Sequence, residues 1–130
     1  MKSARPNDRE PFGEKAYILD VKLSGYILSP THRIGANKAK VFKSALGIGK
    51  AEIDVLKSAL LEAARTQRPN FIREDEHGSH FAIVFELSYS GKSAFVRSLW
   101  MIKTGDDVAN LVSAFVIANK RARPEVKFDE

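Results

Sequence analysis

The spacing of apolar positions changes once along the chain, from a helical repeat to strict alternation. Ala39, Phe42, Ala45 and Leu46 fall on one face of a helix predicted over Gly35 to Leu46, and Gly47 and Gly49 are expected to end it. Ile53, Leu56, Leu60 and Ala64 repeat in the same way, with Leu61 beside them, predicting a second main helix from Ala51 to Thr66. Glu52 and Asp54 in its first turn and Arg65 near its end suit the helix dipole, and Pro69 closes it. Beyond Pro69 the period becomes two. Phe81, Ile83, Phe85, Leu87 and Tyr89 alternate with His80, Ala82, Val84, Glu86 and Ser88, as in a strand buried on one face.

Ser90-Gly91-Lys92 is a hairpin-sized turn, and Ser93 to Lys103 reads as the returning strand. Thr104-Gly105-Asp106-Asp107 turns the chain again into a strand over Leu111 to Ala118, and Asn70 to Glu76 adds a fourth before the turn at His77-Gly78. Ahead of the helices, Ala16 to Val21 reads as a short strand and Lys22 to Leu28 as a short helix, broken at Ser29-Pro30-Thr31. The expected fold is α+β: N-terminal helices packed on an antiparallel sheet of three to four strands, since short turns favour a meander over parallel crossovers. A poorly ordered lead-in over 1–14, one domain over 15–118 and a charged tail over 119–130 complete the organisation.

Composition narrows the classes of function. A chain of 130 residues with 44% hydrophobic and 28% charged side chains can build one core and is neither disordered nor fibrous. Its strongly apolar runs, Phe81 to Phe85 and Leu111 to Ala118, are strand-length, far short of the roughly 20 residues that cross a bilayer. Residues 1–14 are polar and lack the apolar middle of a signal peptide, so export by this chain itself is not expected. Without cysteine there are no disulfides, no thiolate chemistry and no thiolate zinc site.

The formal charge of +5 matters through its distribution. Between Thr31 and Lys50 lie Arg33, Lys38, Lys40, Lys43 and Lys50 with no acidic residue, a local positive field that attracts polyanions such as RNA. A solvated helix face with acidic neighbours would read the same way. P-loop, dinucleotide, nucleophile-elbow and paired-histidine metal signatures are missing. His77-Gly78-Ser79-His80 has metal-binding residue types, but two histidines in a turn more often sit in solvent; no metal or other cofactor is expected. His32 stands directly before the basic helix, where an imidazole could move protons beside a bound phosphate, or simply bond a backbone carbonyl. Arg97 is a charge amid Val96, Ser98, Leu99 and Trp100, suited to clamping a phosphate if its sheet face is open. Ser113 has a similar mid-strand position, with a buried backbone-bonded hydroxyl as its plain reading, and Trp100 reads as core.

The segments KLSGYILSPTHRIGANKAKVFKSALGI and SGKSAFVRSLWMIKTGDDVANLVSAFV resemble a toxin domain found at the C-termini of bacterial filamentous-haemagglutinin and contact-dependent inhibition proteins. Its pattern of Lys-Leu, Tyr, Asn-Pro-x-His-Pro-x-Gly, Lys-Ala and Phe becomes Lys22-Leu23, Tyr26, Ser29 to Gly35, Lys38-Ala39 and Phe42. Ser29 stands for the asparagine, Arg33 for the second proline, and Asn110 and Ser113 for the arginine and threonine of the last strand. The resemblance, over roughly 16–118, implies the ribonuclease-toxin fold group of barnase-like, RelE-like and colicin-like nucleases. It also implies delivery into a target-cell cytoplasm within a larger secreted protein, and neutralisation by an immunity protein, expected to be acidic. The corresponding activity is metal-independent cleavage of tRNA or another structured RNA through a 2′,3′-cyclic phosphate. Catalysis would fall to His32, Lys38, Arg97 and Ser113, and RNA binding to Arg33, Lys40 and Lys43. A non-catalytic RNA-binding or protein-interaction module is the alternative; the basic charge argues against an immunity protein, which would mask a positive site.

Overall fold

The computed structural model describes residues 10–33 and 35–119. The charged tail expected over 119–130 lies, beyond Asn119, outside the described residues, as do residues 1–9 of the expected lead-in. The chain runs through β1 (Ala16–Tyr17), α1 (Asp20–Lys22), a π-helical turn (Leu23–Ile27), α2 (Ala36–Leu46), a 3₁₀ turn (Lys50–Glu52) and α3 (Ile53–Thr66). Four strands follow: β2 (Asn70–Asp75), β3 (Gly78–Tyr89), β4 (Lys92–Lys103) and β5 (Ala109–Asn119). The architecture is α+β, with the N-terminal helices on one face of the sheet.

The sheet has five strands rather than three to four, in the order β1-β5-β4-β3-β2. β2 to β5 form the expected antiparallel meander, whereas β1 joins the far edge in parallel, pairing Ala16 with Ala109 and Tyr17 with Asn110. The expected strand over Ala16 to Val21 is thus cut to two residues, and helix begins at Asp20. α2 ends as expected at Gly47, whose φ of 72° lets its N–H reach the Lys43 carbonyl. Gly49, by contrast, is extended at φ −123° and has no part in that cap.

Alternation divides the sheet. Phe81, Ile83, Phe85 and Leu87 of β3 and Ala94, Val96, Trp100 and Ile102 of β4 are buried in the core with Leu56, Leu60 and Ala64 of α3 and Phe42 and Leu46 of α2. The intervening β4 residues Phe95, Arg97, Leu99 and Met101 are half-buried on the opposite face. Phe12 belongs to the core although it falls in the segment expected as a lead-in. It is 5% exposed, with ring centroids 5.6 Å from Phe81 and 5.8 Å from Trp100. At the β2–β3 turn, Asp75 Oδ1 accepts the N–H groups of His77 (2.9 Å) and Gly78 (3.2 Å), while Oδ2 lies 3.0 Å from His80 Nε2. The two turn histidines thus serve this corner separately, and among the described residues no three metal-binding side chains cluster.

One polar relay sits inside this apolar layer. Trp100 Nε1 donates to Ser98 Oγ at 2.8 Å, and Ser98 Oγ donates to the Ile83 carbonyl at 2.9 Å. Both side chains are fully buried, so an indole N–H left without an acceptor would carry its whole desolvation cost. Ser98→Ala is expected to destabilise the domain by about 1–3 kcal/mol. Adding Trp100→Phe should cost less in the Ser98→Ala background than in wild type, because the orphaned donor leaves with the indole. Urea unfolding of the four proteins checks this; additive losses would show that the relay contributes nothing.

Candidate nucleic-acid interface

Tyr26 lies in the π-helical turn, one helical turn after Lys22, and its half-buried ring organises the residues around it. The His32 ring packs against it edge-on, with centroids 4.9 Å apart and planes at 70°. Lys22 Nζ and Lys38 Nζ each lie 5.7 Å from the Tyr26 centroid. Lys38 Nζ is also 5.7 Å from the centroid of Phe115 on β5, so one ammonium bridges a helical aromatic and a strand aromatic. Each such contact stabilises by about 0.5–1 kcal/mol at an exposed site, enough to bias where a lysine head rests.

The loop geometry follows from a close approach. A side chain at residue 35 would put Cβ 2.2 Å from the Tyr26 carbonyl oxygen, so the space admits only glycine. The Gly35 N–H then donates to His32 Nδ1 at 2.9 Å, and the Ala36 N–H donates to the His32 carbonyl at 3.0 Å. Because Nδ1 accepts, the ring proton resides on Nε2. In this tautomer Nε2 is a donor and cannot take a proton from a hydroxyl.

The other expected catalytic residues lie along β4 and β5. Arg97 pairs in register with Phe115, and Ser113 with Leu99, so Arg97 and Ser113 are diagonal neighbours across the ladder. Arg97 is half-buried; Ser113 is 6% exposed, and its Oγ has no hydrogen-bond partner among the described residues. His32 and Lys38 therefore meet at Tyr26, and Lys38 leads through Phe115 to Arg97. Lys22, Lys38 and Arg97 form no ion pair among the described residues, leaving a strip of cations interleaved with aromatic rings. A shallow cavity of about 320 Å³ opens beside it, lined by Asn37, Lys38, Val41, Phe115 and Val116. Phosphates suit the cations, and bases can stack on the rings.

The remaining basic residues go elsewhere. Arg33 is exposed in the loop, and Lys40 and Lys43 line a different cavity. Sequence reasoning gave no role to Tyr26, Lys22 or Phe115. The four-residue spacing of Lys22 and Tyr26 was a usable signal; Phe115, inside an apolar strand, offered none.

Residues 10–118 match the family described as "Domain of unknown function (DUF6883)". No curated protein and no solved structure matches the chain.

Gly35→Ala is expected to push the 32–35 loop off Tyr26 and destabilise the domain by about 1–3 kcal/mol. Thermal unfolding measures the loss, and NMR should show the Tyr26–His32 ring contact weakened. An unchanged melting temperature with that contact intact would mean that the loop adapts without cost.

Proposed function

The chain belongs to the DUF6883 family, and we propose that it is a metal-independent ribonuclease acting on tRNA or another structured RNA along the Tyr26–Lys38–Phe115–Arg97 strip. The observation that carries this reading is the Lys38 ammonium held between Tyr26 and Phe115 with the His32 ring against the same tyrosine. Such a strip offers an RNA strand stacking surfaces and phosphate contacts together.

In the proposed reaction the RNA's own 2′-hydroxyl attacks the adjacent phosphorus and the 5′-oxygen leaves, giving a 2′,3′-cyclic phosphate. The hydroxyl proton passes to solvent water as the bond to phosphorus forms, and the departing 5′-oxygen takes a proton from solvent water. Lys38 and Arg97 offset the charge that builds on the phosphorane oxygens, which is where a preorganised cation lowers the barrier. The His32 ring, packed on Tyr26, stands beside the phosphate, and Ser113 Oγ, with no hydrogen-bond partner among the described residues, positions the scissile group. For His32 to act as base its ring must first release the Gly35 N–H. Lys22 and the exposed Arg33 extend the positive path for flanking phosphates.

The setting suggested by the toxin resemblance belongs to the same proposal: carriage within a larger secreted protein and inhibition by an acidic immunity protein that covers the cations. Insertion into a membrane has no place in it, and among the described residues no helix is long and apolar enough to cross one. A second reading, a non-catalytic RNA-binding module, is favoured by one observation: the engaged Nδ1 leaves His32 a donor rather than a base.

The test is incubation of the purified domain with total tRNA in EDTA, with new RNA ends sequenced and their chemistry determined. Discrete cuts ending in cyclic phosphate are expected, with Lys38→Ala and Arg97→Ala each slower by roughly a hundredfold. Tight binding with intact RNA would give the answer to the second reading. Neither binding nor cleavage would end both.

A further inference from the structure

Lys40 and Lys43 point away from Lys38 around α2, because two residues turn a helix by roughly 200°. With Lys50 they rim a cavity of about 390 Å³ whose other lining residues include Leu28, Pro30, Ala36 and Ala39. Leu28 and Ala39 are buried and form an apolar floor, whereas all three lysines are exposed. None of the three makes an ion pair among the described residues. One carboxylate stands by the rim: Glu52 Oε1 accepts the Gly49 N–H at 2.7 Å. A Cβ built on Gly49 would be 3.7 Å from that oxygen and equally 3.7 Å from Lys43 Nζ, so Glu52 tempers the field on one side.

We propose that this cavity is a site for a nucleotide phosphomonoester, separate from the Tyr26 strip and independent of the ribonuclease reading. The three lysines that rim the cavity, with one bordering carboxylate, give a net local charge near +2. A phosphomonoester carries about −1.5 to −2 at neutral pH, whereas a phosphodiester within a strand carries one negative charge. The apolar floor takes the face of the base and sugar while the phosphate sits among the lysine heads, and the volume is that of a small-ligand pocket. The phosphomonoester has two sources, a free mononucleotide or the 5′-phosphorylated end of an RNA.

The test follows backbone amides of Leu28, Ala36, Gly49 and Lys50 by NMR during titration with uridine 5′-monophosphate, adenosine 5′-monophosphate, uridine, and a short RNA with either a 5′-phosphate or a 5′-hydroxyl. The two nucleotides or the 5′-phosphorylated RNA should move these amides, and uridine should not. A Lys40→Gln, Lys43→Gln, Lys50→Gln triple variant, its fold checked by circular dichroism, should bind at least about tenfold more weakly. Lys38→Ala should leave the titration intact, separating this site from the strip. Tighter binding of 5′-phosphorylated RNA than of free nucleotides assigns the site to an RNA end, and the reverse to a free nucleotide. Equal response to 5′-hydroxyl and 5′-phosphorylated RNA, an unaltered titration in the triple variant, or no movement with any phosphate would each overturn the proposal.

Discussion

The outer edge of β5 is paired only at its start, where Ala109 and Asn110 meet the two residues of β1. From Leu111 onward that edge has no strand beside it among the described residues, and an open edge exposes unpaired backbone groups that a protein must cover or make unattractive. α2 lies beside this strand. It packs on β5 and β4, and its Asn37, Lys38 and Val41 border the cavity beside Phe115 and Val116. The basic helix is therefore held beside β5 by its packing on the sheet, and Lys38 reaches Phe115 as a consequence. The ladder does the rest, since Arg97 is the cross-strand partner of Phe115.

The same constraint separates what was legible in the sequence from what was not. Alternation over His80 to Tyr89 and the four-residue repeats of Leu56, Leu60 and Ala64 predict β3 and α3 because burial on one face imposes those periods directly. A strand of two residues has no period, so the length of β1 and its parallel pairing were invisible. Phe12 was obscured by polar neighbours, although a single aromatic can lodge between Phe81 and Trp100 without any pattern around it. Within the candidate site, His32, Lys38 and Arg97 were readable as chemistry-bearing types in odd places. Tyr26 and Phe115, which bring Lys38 into register with the others, join through tertiary contacts that no local spacing encodes. The serine at 113 was expected to bond backbone or lie near Arg97. It does the second across the ladder diagonal, and its hydroxyl has no partner among the described residues.

Four of the five cations in the run over 31–50 fall into two arrangements in space. Lys38 turns toward rings and the strand edge, and Lys40 and Lys43 turn toward an apolar cavity with Lys50. One short segment borders both: Tyr26 and His32 face the strip, while Leu28 and Pro30, between them in sequence, line the cavity. Two close contacts hold it. The Leu28 N–H is held by the Leu23 carbonyl at 2.7 Å, and Gly35 abuts the Tyr26 carbonyl too closely for any side chain. The positive field of α2 is therefore divided on either side of this segment, and each half presents its lysines against a surface of different chemistry, aromatic on one side and aliphatic on the other.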